Sequence, residues 1–118
     1  MARYFNTSEF LCRCCGGANI ISPDLIHRLD ILRETYGHPI YVSCGYRCPR
    51  HNAEVGGVYN SQHVRGTAAD IYVDGNYEQF YNFVYNSRLF DGLGYYPTQE
   101  FVHVDIRDGG ANPNHYIW

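Results

Sequence analysis

Residues Phe101–Ile106 read FVHVDI. Side chains alternate between the two faces of a strand, so His103 and Asp105 share one face while Val104 and Ile106 take the other. Burying an imidazole or a carboxylate without a partner is costly. A strand carrying HVD between apolar residues therefore needs a reason, and two are available. A metal ion could be held there, or the two side chains could belong to a hydrogen-bonded network.

The rest of the chain says what this strand sits in. Residues 1–21 read as an irregular opening segment in which Phe5 and Phe10 dock on the core. Ser22 is a good helix N-cap, Pro23 suits the first helical position, and Asp24 favours the positive helix end. Leu25, Leu29 and Leu32 repeat at helical spacing, and Gly37 with Pro39 ends the helix. Arg28, Asp30, Arg33 and Glu34 then form its solvated face. Pro39–Ser43 (PIYVS) and Ala68–Asp74 (AADIYVD) read as strands. The Gly-, Asn-, Pro- and His-rich stretch Gly45–Gly66 between them reads as a loop, and a loop that long is usually functional. A second helix runs from Asn76, its cap, to Ser87. Leu89–Tyr96 reads as a bent strand entering a turn at Pro97, and Arg107–Trp118 as a closing loop. Two helices and several strands without a βαβ rhythm predict an α+β domain spanning residues 1–118. Its sheet should be mainly antiparallel, with the helices on one face.

Composition narrows the function. The chain has 118 residues, 45% of them hydrophobic, enough for one buried core. A formal charge of −3 argues against a nucleic-acid or anionic-membrane partner. No apolar run approaches the roughly 18–20 residues of a membrane span, and the start lacks a secretory leader. Synthesis as a soluble cytoplasmic protein is the expectation. Cys12, Cys14, Cys15, Cys44 and Cys48 make an odd set that one chain cannot fully pair. Cys12/Cys15 and Cys44/Cys48 have spacings found in structural zinc sites, but buried thiols or a disulfide fit as well.

His63, in SQHVRGTAAD, and Asp70, at the start of the second strand, are further polar residues where a simple core would not place them. Two imidazoles and one carboxylate leave zinc with one net positive charge and a fourth position for water, the arrangement of catalytic zinc. Such an ion acidifies water and polarises a carbonyl.

The blocks CGYRCPRHNAEVGGVYNSQHVRGTAADIYV and GLGYYPTQEFVHVDIR carry a specific pattern. In it SGYR is followed by N, GG, S-x-H-x-x-G-x-A-x-D and a final strand with H-x-D. Across most of its length the chain resembles the zinc D-Ala-D-Ala carboxypeptidases and related peptidoglycan endopeptidases. These share a fold with lysostaphin-type enzymes and hedgehog domains. The resemblance implies zinc held by His63, Asp70 and His103, with Gly66, Ala68 and Ala69 letting the backbone pass close to it. It also implies a carboxylate base. Glu100 has the spacing some members use, three residues before the last His, but regular strand parity turns it away from His103. Parity favours Asp105, unless a bulge near Gln99–Phe101 reverses the choice. Asp105 could instead bond the outer N–H of His103 or pair with Arg107. Arg47 matches an arginine that binds the substrate carboxylate or stabilises the oxyanion. Ser61 and Gln62 flank the first ligand and would orient it or meet the substrate. Cys44 stands where the family often has Ser.

The expected activity is hydrolysis of an amide bond in peptidoglycan stem peptides or cross-links by a monomer. A phage lysin released through a holin, or a phage tail or prophage peptidase, fits a short chain without leader or wall-binding module. The rival is a zinc-stabilised, non-catalytic module that binds a wall peptide or protein, as the hedgehog relatives of this fold group illustrate.

Overall fold

The computed structural model describes residues 4–5, 10, 21–45 and 66–118. The first helix, α1, spans Pro23–Tyr36. The Ser22 hydroxyl accepts from the backbone N–H of Leu25, and Gly37 ends the helix at φ 78°, a conformation glycine adopts without a Cβ clash. The second helix, α2, spans Tyr77–Ser87, and the Asn76 side chain accepts from the N–H of Gln79. Both starts are set by the capping residues the sequence displays.

The strands are β1 (Tyr41–Cys44), β2 (Ala68–Tyr72), β3 (Gly92–Tyr96), β4 (Phe101–Asp105) and β5 (Tyr116–Ile117). Among the described residues they form one sheet in the order β1-β2-β4-β3-β5. Neighbours are antiparallel except β3 and β5, which run parallel. The fold is α+β as expected, with a mixed sheet. β5 lies inside the stretch read as a closing loop. Two residues in a Gly/Asn/Pro-rich tail carry no period, and the pairing is imposed from β3.

The sheet has one apolar face and one polar face. Ala69, Ile71, Leu93, Val102 and Val104 join Leu25, Leu29, Leu32, Phe80 and Val84 of the two helices in one buried cluster. Phe5 and Phe10 are buried in the same cluster, as expected. Asp30 departs from its expected place on the solvated face of α1. It is buried, and its Oδ1 accepts from the backbone N–H groups of Tyr4 (2.9 Å) and Phe5 (3.1 Å). The carboxylate ties the opening segment to the helix, and helical periodicity cannot reveal a partner 25 residues away. No described helix is long and apolar enough to cross a membrane.

Candidate active site

The face opposite the helices carries the chemistry, and strand register arranges it in rows. Asp70 of β2 pairs with His103 of β4, which pairs with Gly94 of β3. The next row holds Ala68, Asp105 and Gly92, continued by Tyr116 of β5. On the other side Phe101 of β4 pairs with Tyr96 of β3, their rings stacked at 4.5 Å. Period-two alternation thus puts Asp70, His103 and Asp105 on one face, as the sequence predicts.

His103 lies between two carboxylates. Its Nδ1 is 3.1 Å from Asp70 Oδ1, and its Nε2 is 2.8 Å from Asp105 Oδ2. Asp105 is fully buried. It also accepts from Arg107, through Nη2 (2.7 Å), Nε (3.0 Å) and the backbone N–H (3.2 Å). Burial pushes the Asp105 carboxyl up, but hydrogen bonds from His103 and Arg107, with the charge of the Arg107 guanidinium, hold it down to about 2. The Arg107 guanidinium is held above its ordinary value, chiefly by the hydrogen bond to Asp105. The structure therefore places Asp105 on the outer nitrogen of His103 and on Arg107.

Gly92 makes this possible. A Cβ there would lie 2.6 Å from Asp105 Oδ1 and 2.7 Å from its Cγ, so no side chain fits beneath the carboxylate. Glu100 stands just before β4 in an exposed turn, at φ 64°. Its carbonyl lies 2.9 Å from the Tyr77 hydroxyl. A left-handed residue breaks strand alternation, so parity does not fix the side on which Glu100 stands.

The tail completes the site, which the sequence did not show. Asp91 is fully buried, and its carboxylate accepts from the backbone N–H groups of Asp108 (2.9 Å), Gly110 (2.8 Å) and Asn112 (2.8 Å). The chain then runs along β3, with the Trp118 N–H bonded to the Leu93 carbonyl and the Tyr95 N–H to the Trp118 carbonyl. Those bonds bracket Gly94 and bring the Trp118 ring to 4.9 Å from His103. Arg107 lies over Tyr116 (4.6 Å) and Trp118 (5.2 Å). An acidic residue immediately before a glycine-rich strand was the available signal for Asp91, but its partners lie 17 to 21 residues away.

His63, Arg47, Ser61 and Gln62 lie outside the described residues, as do Cys12, Cys14, Cys15 and Cys48. Among the described residues no three His, Cys, Asp or Glu side chains gather in a metal-binding group. The donor set that is described nevertheless fits a cation. A neutral imidazole has one N–H to give, and here both ring nitrogens face carboxylates. With the N–H given to Asp105, the lone pair on the other nitrogen points at Asp70. A divalent cation between that nitrogen and Asp70 removes the conflict. Donors about 2.0–2.2 Å from a tetrahedral ion lie roughly 3.3 Å apart, close to the 3.1 Å observed. The carboxylate on the outer nitrogen is the companion metal-binding histidines regularly have.

The site thus consists of an aspartate and a histidine paired across an α+β sheet, the histidine backed by a buried carboxylate. The model for the Peptidase M15 family matches residues 3–105, and the chain belongs to that family. It is a peptidase family of the zinc D-Ala-D-Ala carboxypeptidase kind, generally zinc-dependent. A comparison with curated proteins finds no match.

Proposed function

We propose that the protein is a zinc peptidase that hydrolyses an amide bond in peptidoglycan stem peptides or cross-links, acting at the bacterial cell wall. The observation that carries this reading is His103 held between Asp70 and Asp105. Asp70 and His103, with His63 as third ligand, would hold the zinc. Bound zinc supplies Lewis acidity to the scissile carbonyl and to water. Asp105 and Arg107 hold the imidazole in one tautomer and orientation, so the ring nitrogen facing Asp70 keeps its lone pair. A carboxyl at about 2, with both oxygens taken by N–H donors, is a poor proton acceptor near neutrality. The base in this proposal is therefore Glu100. It is exposed, and its left-handed backbone is a conformation that costs a non-glycine residue roughly 1–2 kcal/mol. Glu100 would take a proton from the attacking water and deliver it to the leaving amine. Arg47 would hold the substrate carboxylate or the developing oxyanion, with Ser61 and Gln62 beside it.

The test is mass spectrometry of muropeptides after digestion of several wall chemotypes, with and without chelator. New amine ends at one defined bond, lost with chelator and restored by zinc, are expected. One equivalent of bound zinc with no bond cut in any wall would refute the peptidase reading in favour of a binding module.

A further inference from the structure

The tail beyond Asp105 lies outside the family match, yet it delivers a ring to the centre. Trp118 leans across Gly94 onto His103. A Cβ on Gly94 would lie 2.7 Å from Trp118 Nε1 and 2.7 Å from the Tyr96 ring, so the indole occupies the space a side chain would take. The indole is fixed at both ends. Its backbone is bonded to β3 on both sides of Gly94, and its Nε1–H donates to the Tyr96 hydroxyl at 2.6 Å. Upstream, three backbone N–H groups on Asp91 set the path of the strap. The outcome is asymmetric for Trp118: the residue stays 46% exposed, while His103 is 8% exposed. A large, half-exposed aromatic tied down by so many bonds covers its neighbour more than it buries itself.

We propose that Trp118 is a positioning residue for the metal centre, covering the His103 imidazole and limiting its rotation while Asp105 holds its outer nitrogen. A ring turned about its Cβ–Cγ bond would carry the ligating nitrogen away from Asp70. Asp105 opposes that motion through one hydrogen bond, and Trp118 opposes it by contact along the ring. The indole also keeps water off the imidazole, and the apolar surroundings of a metal site tune its ligands. This proposal rests on the zinc reading given above.

The experiment is zinc competition against a chromophoric chelator for wild type, Trp118→Ala, Trp118→Phe and Tyr96→Phe, each with the thermal melt of its metal-free form. Trp118→Ala should weaken zinc about tenfold, the lower end of the effect of removing a group that orients a ligand. Trp118→Phe, which keeps a ring over His103, should recover most of the loss. Tyr96→Phe, which frees the indole N–H but keeps the core, should give a smaller loss in the same direction. Because Trp118 is the single tryptophan of the chain, its emission should change as wild type takes up one equivalent of zinc. A purely structural Trp118 would lower the metal-free melt and leave zinc affinity unchanged, and that result overturns the proposal alone. A wild type that binds no zinc overturns both the proposal and the zinc reading.

Discussion

Asp105→Asn separates two roles for one carboxylate. The four groups facing Asp105 are all donors: His103 Nε2 and Arg107 Nη2 on Oδ2, and Arg107 Nε and the Arg107 backbone N–H on Oδ1. An amide has one oxygen, so whichever way it turns, two of these N–H groups meet an NH2 instead of an acceptor. Each hydrogen bond to a charged group contributes roughly 1.5–3 kcal/mol, so losing two costs at most about 3–6 kcal/mol. The Arg107 side chain is 28% exposed, so water replaces part of what it loses. A net destabilisation of about 2–3 kcal/mol follows, a fall in Tm on the order of 10 °C for a domain this size. Zinc affinity should drop about 10–100-fold as His103 loses its outer partner, whereas kcat at saturating zinc should fall far less. Thermal melts, zinc competition and turnover on peptidoglycan measure the three quantities. If Asp105→Asn melts and binds zinc like wild type while turnover collapses, Asp105 is the base and the orientation argument is wrong.

Glu100→Gln should do the reverse, lowering kcat by about 10²–10⁴ with the melt unchanged, because the residue is exposed; unaltered turnover would remove Glu100 from the chemistry. Gly92→Ala should destabilise by about 1–3 kcal/mol and weaken zinc, since the new methyl displaces Asp105; a wild-type urea midpoint would show that the carboxylate has room to move. Asp91→Ala strips the acceptor from three backbone N–H groups and should cost roughly 2–4 kcal/mol while loosening Trp118. Near-UV circular dichroism of the indole reads that loosening, and an unchanged spectrum would mean the strap is held by other contacts.

Local signals were legible where they are locally satisfied. Ser22-Pro23 and Asn76 announce the two helices because a cap needs only the N–H three residues on. FVHVDI announces β4 and its polar face because alternation is local. What failed to show depends on distant partners. Asp30 looks like any charged helix residue until Tyr4 and Phe5 arrive. Tyr116 and Ile117 form a strand because Asp91 and β3 hold the tail in place. The parity argument put Asp105 beside His103 but could not say which ring nitrogen it meets. That depends on Arg107, two residues on, folding back over the carboxylate. Parity at Glu100 holds only in a regular strand, and its positive φ is an irregularity within Gln99–Phe101, the segment where the sequence leaves the choice open.

Asp70 and His103 face each other as register partners, with no loop between them setting their separation. Alignment of β2 with β4 is thus the ruler of the centre. Adding or deleting one residue inside either strand would send a donor through the sheet to the oily side, whereas a connection such as Asp74–Asn76, between β2 and α2, can change length without moving the pair. Sequences that diverge from this chain while keeping its chemistry should vary in their connections and hold the count of residues in these two strands constant.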